Sequence, residues 1–159
     1  MEVPKKGNTY HAIRIVANEL EKEGIEIIHV GNKVIRVCIA CNGCARNQNE
    51  ECVIKNDEVN EWIQKMKEAD GIILGSPVHY SAIGGTMKSF LNRAFYVASV
   101  NNRMFRHKAG ISVVADRRSG GVPVFDQLNN FINYGTAPGE VMHDEEGMQI
   151  MRVLGQNMA

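Results

Sequence analysis

GIILGSPVHYSAIGGTMKSFLNRAF, residues 71–95, passes through three regimes in one short stretch. Gly71-Ile72-Ile73-Leu74-Gly75 is a β-branched apolar run without alternation, the pattern of a strand buried on both faces. Ser76-Pro77 stops it, and a loop continues through Gly84-Gly85-Thr86. Met87, Phe90, Leu91 and Ala94 then recur at helical spacing. Strand, loop and helix in that order make the first two-thirds of a βαβ unit, and Ala109–Ala115, AGISVVA, supplies a second buried strand to close it. A charged turn, Asp116-Arg117-Arg118-Ser119-Gly120-Gly121, leads from there into a helix marked by Phe125, Leu128 and Ile132.

Outward from this centre the alternation persists. A helix opens at Asn8 or Thr9, carries Ile13, Val16, Ala17 and Leu20 on one stripe, and ends at Gly24. Ile25–Val30 reads as a short strand, and its Glu26 and His29 suit a sheet edge. Val59, Trp62, Ile63 and Met66 mark a helix over about Glu58 to Ala69, with Trp62 in the core and the methionines Met66, Met87 and Met151 as packing. Glu145 to Met158 reads as a last helix, capped by Asp144. Strands alternating with helices of these lengths give an α/β fold, a parallel sheet with helices on both faces.

The sheet so assembled is short of strands. Nothing strand-like precedes the first helix, and Phe131-Ile132-Asn133-Tyr134 runs directly into Gly135-Thr136-Ala137-Pro138-Gly139. Three strands would leave open apolar edges. The expectation is that segments are absent from this sequence, and the mass of the intact protein tests it.

The 159 residues suffice for one domain, 1–159. Lys plus Arg and Asp plus Glu are 18 each, a balance that argues against a nucleic-acid or membrane-surface partner. No apolar run approaches the roughly 20 residues of a membrane span. Met1–Lys6 has no apolar segment behind its lysines, so no secretory signal is read there, and a cytoplasmic location is expected. No Ser/His/Asp set, HExxH or Walker lysine is present, so no catalytic side chain is assigned.

Three loops fall at the carboxyl ends of strands, where open α/β sheets bind ligands. Pro4–Thr9 opens a helix and offers Lys6, Asn8 and Thr9 to a phosphate, although for this segment taken alone an ordinary helix cap is the stronger reading, Gly-Asn-Thr being common. Ser76–Gly85 sets Pro77, Val78, His79, Tyr80 and Gly84 around a turn that suits the edge of a flat heterocycle. Asp116–Gly121 adds Arg117, Arg118 and Gly120, which suit an anionic ring; a solvated surface turn is the plain alternative. A fourth loop, 38–52, gathers every cysteine of the chain: Cys38, Cys41, Cys44 and Cys52. Thiolates so crowded repel, and a cationic centre is their natural partner. Zinc, an iron–sulfur cluster and free thiols all remain open on spacing alone.

Taken in order, Gly7-Asn8-Thr9, the cysteine loop, GSPVHYSAIGGTMKSFLNRAF and Arg117-Arg118-Ser119-Gly120-Gly121 resemble the NAD(P)H-dependent FMN reductase and iron–sulfur flavoprotein family over nearly the whole chain. The resemblance implies a flavodoxin-like fold, a doubly wound parallel sheet of strand order 2-1-3-4-5 with FMN at the switch point. On this reading the first and fifth strands are missing, as is the leading part of the phosphate loop. It further implies that Lys6, Asn8 and Thr9 hold the FMN phosphate, and that Pro77, Val78, His79, Tyr80 and Gly84 line the isoalloxazine, with either the His79 or the Tyr80 ring facing it. Arg117, Arg118 and Gly120 approach it from the third loop. The implied activity is an oxidoreductase that moves electrons from NAD(P)H through FMN to a small-molecule acceptor such as a free flavin or quinone. The cysteine spacing resembles the compact motif that holds a 4Fe-4S cluster beside the flavin, and on that alternative single electrons come from a ferredoxin-like partner. A non-enzymatic zinc-loop module of the same fold is a third reading. The resemblance also implies a homodimer or homotetramer, for which the apolar stretch 94–105 offers contact surface.

Overall fold

The computed structural model describes residues 7–19 and 24–132. Lys6, the final helix and its Asp144 cap, and Leu20 lie outside the described residues. Among the described residues seven elements follow one another: α1 (Asn8–Glu19), α2 (Gly43–Asn47), α3 (Val59–Glu68), β1 (Gly71–Pro77), α4 (Gly85–Val100), β2 (Ala109–Ala115) and α5 (Gly121–Ile132). β1 and β2 pair in parallel from Gly71↔Ala109 to Pro77↔Ala115, joined by the α4 crossover that the 71–95 stretch predicts.

Alternation divides this pair into two faces. Ile72, Leu74 and Ser76 turn toward one side with Gly110, Ser112 and Val114; Ile73 and Gly75 turn toward the other with Ile111 and Val113. The first side meets the core. Leu74 packs with Val59, Trp62 and Ile63 of α3, Phe90, Leu91, Ala94 and Val97 of α4, and Val124 and Leu128 of α5, all buried. Trp62 and Phe90 meet edge to face, their ring centroids 5.4 Å apart. Gly110 lets Ile132 of α5 close onto β2, because a Cβ there would collide with the Ile132 side chain. On the second side Gly75 does the same for α1, admitting Ile13 and Thr9 against the strand. Helices therefore cover both faces, as expected.

Two expectations change. Ile25–Val30 carries no strand in the structure. In the order 2-1-3 a second strand pairs only with the first, and among the described residues no strand lies beside it. Its Ile28 and Val30 pack against the core cluster instead. The apolar residues of the 94–105 stretch are largely taken up within the chain, with Tyr96 left exposed. Ala94, Val97 and Ala98 are buried, and the Phe95 ring meets Phe105 edge to face and Phe131 at a tilt within the chain. No helix among the described residues is long and apolar enough to cross a membrane.

Candidate functional site

All four cysteines line one cavity, together with Asn42, Val53, Arg93, Tyr96 and Val97. Cys44 and Cys52 are buried, Cys38 is half-buried and Cys41 is exposed. No disulfide joins them. The loop that carries them is tightly wound: Ala40, Asn42, Gln48 and Glu50 all have left-handed φ values between 47° and 62°. Such values cost non-glycine residues energy, and they persist here because the surroundings over-determine them. The five-residue helix α2, not expected from periodicity, carries Cys44. Gly43 admits Val53 so closely that a Cβ would collide with it.

Side chains of α3, of α4 and its cap residue Asn101, and of the loop's own Arg46 fasten this loop. Asn60 pairs with both backbone groups of Cys52, accepting from its N–H at 2.8 Å and donating to its carbonyl at 2.9 Å. Asn101 accepts from the Glu50 N–H at 2.9 Å, and the Gln64 amide donates to the Glu50 carbonyl at 3.0 Å. Tyr96 donates its hydroxyl to Asn42 at 2.6 Å, and Arg46 donates to the Cys41 carbonyl at 3.0 Å. Arg93 donates from Nε to Cys52 Sγ at 3.3 Å and pairs with the Asp57 carboxylate. Burial pulls the Arg93 pKa down, but Asp57 and Cys52 more than reverse this, so it stays charged.

Burial pushes the Cys44 thiol up, and the neighbouring Cys52 and Cys38 push it further. Thiols that push the Cys44 pKa up stand close enough to it for negative charge to accumulate, which a cationic centre would relieve. Among the described residues no three His, Cys, Asp or Glu side chains converge as ligands of a single metal ion. A single zinc would need sulfurs at about 2.3 Å from one point. Four thiols on one cavity are the all-sulfur donor set that thiolate-bound metal centres use.

The other predicted residues sit at the carboxyl end of the two strands. The ladder continues past β1, with the Val78 N–H donating to the Ala115 carbonyl at 3.2 Å. His79 and Ala82 exchange backbone bonds at 2.9 and 3.0 Å across a tight turn with positive φ at Tyr80 and Ser81, the signature of a primed turn. His79 packs on Gly84, 3.5 Å from where a Cβ would stand. Gly120, at φ 88°, lets the third loop close onto this turn: a Cβ there would lie 2.8 Å from Ser81 Oγ and 3.0 Å from Val78 Cγ1. Gln127 of α5 ties the turn from below, accepting from the Ile83 N–H and donating to the Ser81 carbonyl, each at 3.3 Å.

Thr9, at the start of α1, stands over Gly75, with Cγ2 3.3 Å from the position of a Cβ. The structure thus brings Thr9, Val78, His79, Gly84 and Gly120 to one rim of the sheet. Pro77, Arg117 and Arg118 are exposed at the same rim, Asn8 is exposed on α1, and the Tyr80 side chain is wholly in solvent. A helix start and glycine-bearing turns at the carboxyl end of parallel strands fit a phosphorylated planar ligand. Sequence reasoning missed Arg93, Asp57, Asn60 and Asn101. For Arg93 a signal existed, a cation flanked by the apolar stripe Phe90, Leu91, Ala94, Val97 and Ala98. The others declare themselves only through partners distant in sequence.

Comparison with known proteins agrees with this geometry. The NADPH-dependent FMN reductase family matches residues 3–144. An iron–sulfur flavoprotein of Methanocaldococcus jannaschii is 32% identical over 97% of this chain and 90% of its own length. A second from the same organism is 26% identical over 94% and 87%. An iron–sulfur flavoprotein of Methanosarcina thermophila is 33% identical over 74% of this chain and 62% of its own. The first alignment runs over 178 positions, more than the 159 residues present here, so that relative carries segments with no counterpart in this chain. No solved structure matches the chain significantly.

Proposed function

The chain belongs to the NADPH-dependent FMN reductase family and is an FMN flavoprotein oxidoreductase of flavodoxin-like fold; on that premise we propose that Cys38, Cys41, Cys44 and Cys52 hold a 4Fe-4S cluster and that electrons pass between it and FMN. The observation that carries this reading is the common cavity of the four cysteines, walled by a buried arginine. That the similar proteins are named iron–sulfur flavoproteins supports it. FMN would supply the redox chemistry, and the chain would supply binding, orientation and charge.

In this reading Lys6, Asn8 and Thr9 take the phosphate of the flavin. Pro77, Val78, His79, Tyr80 and Gly84 take the edge of its ring, while Arg117 and Arg118 set positive charge beside it. A ferredoxin-like protein is the electron partner. A cytoplasmic, reducing setting suits four cysteines that form no disulfide. Anaerobic reconstitution with iron, sulfide and FMN tests the reading. Uptake of about four iron and four sulfide per chain supports it; zinc in their place, or neither metal, refutes it.

A second reading rests on the family description: NAD(P)H itself reduces the flavin, and a small molecule such as a quinone is the acceptor. A Cys41→Ser variant loaded with FMN alone separates the two. Steady NAD(P)H oxidation by that variant favours direct reduction; its absence favours the cluster route.

A further inference from the structure

Arg93 heads the fully buried side chains of the described residues, at 1% exposure. A guanidinium has five N–H donors, and here each has an acceptor. Nε–H donates to Cys52 Sγ at 3.3 Å. One terminal nitrogen donates to the Arg36 carbonyl at 3.3 Å and to Asp57 Oδ2. The other donates to the Ile54 carbonyl at 2.8 Å and to Asp57 Oδ1 at 3.1 Å. The fork therefore grips backbone just before Cys38 and just after Cys52. Asp57, itself buried, balances the charge.

Resting on the cluster reading above, we propose that Arg93 is the positioning residue of the cysteine centre, whose Nε–H holds Cys52 Sγ and raises the reduction potential of the cluster bound there. An added electron makes the cluster and its thiolates more negative. An N–H dipole and a cation fixed against one ligating sulfur stabilise that reduced form. Asp57 works in the opposite sense, since its carboxylate opposes the added electron. Lysine cannot reproduce the arrangement, because it offers one point charge where the fork makes five directed bonds.

The opposed signs give the test. The full chain is reconstituted anaerobically with iron and sulfide, and its potential is read by a dithionite titration followed by electron paramagnetic resonance. The expected result is a lower potential for Arg93→Lys and a higher one for Asp57→Asn, with iron and sulfide content near wild type. Potentials equal to wild type, or shifts of both variants in one direction, overturn the proposal while leaving the cluster reading intact. Should Arg93→Lys fail to fold or to retain iron, Asp57→Asn decides alone: a higher potential supports the assignment and an unchanged or lower one overturns it. Wild-type protein that takes up no iron and sulfide overturns the cluster reading itself, and this assignment with it.

Discussion

Asn60→Ala opens the cysteine loop at its buried end. Asn60 reaches both the N–H and the carbonyl of Cys52, at 2.8 and 2.9 Å, and no backbone partner replaces either bond when the amide is removed. A net hydrogen bond is worth about 1 kcal/mol, and leaving its buried partner unsatisfied costs about 1–3 kcal/mol. Asn60 is half-buried, so water re-pairs part of what is lost, and the lower end applies: about 2 kcal/mol for the two bonds together. At about 1.4 kcal/mol per decade, the population of the opened loop rises about 30-fold. The assay is labelling of metal-free protein with a small thiol reagent, with Cys52 followed by peptide mass spectrometry. Cys41, already exposed, serves as the internal control. Cys52 is only 8% exposed and labels through opening. A labelling rate for Cys52 within about 3-fold of wild type refutes the assignment of Asn60 as the anchor of this corner.

Two further outcomes follow from the same contacts. Gly75→Val drives a side chain into Thr9 and Ile13, levering α1 off the sheet; overpacking of this kind costs about 1–3 kcal/mol and lowers the melting temperature, with weaker FMN binding because Thr9 moves too. The Cys44 thiol, raised by burial and by Cys52 and Cys38, stays protonated in the folded metal-free chain at pH values where the unfolded chain has lost its proton. Its contribution to stability is thus full below the ordinary thiol value of about 8.5 and is lost as pH rises through the folded value. Denaturant melts followed through the single, buried Trp62 should accordingly show falling stability on the alkaline side, and Cys44→Ser should flatten that fall.

The β1–α4–β2 unit was legible because each element carries its own signal within a few residues: an unbroken apolar run, a Ser-Pro stop, a helical stripe. Ile25–Val30 was not, since a ladder belongs to two strands and its partner is not among the described residues. The composition of 133–144, with two glycines, a proline and little apolar alternation, gives the same shortfall at the other end. α2 escaped because five residues are too few to show a period. The 94–105 stretch misled for a different reason: its apolar residues looked surplus until Phe105 and Phe131 closed on Phe95. At the cysteine loop, the four thiols were plain in the sequence. What holds them was not, because Asp57, Asn60, Arg93 and Asn101 act across 8 to 57 positions of chain.

Metal, sulfide and flavin content of the anaerobically purified and reconstituted chain tests the central claim most directly. The account predicts about four iron, four sulfide and one FMN per chain, and a quadruple Cys→Ser variant that loses the iron and sulfide but keeps the FMN. A chain that binds FMN but no iron contradicts the cluster at Cys38, Cys41, Cys44 and Cys52; a chain that binds neither contradicts the account as a whole.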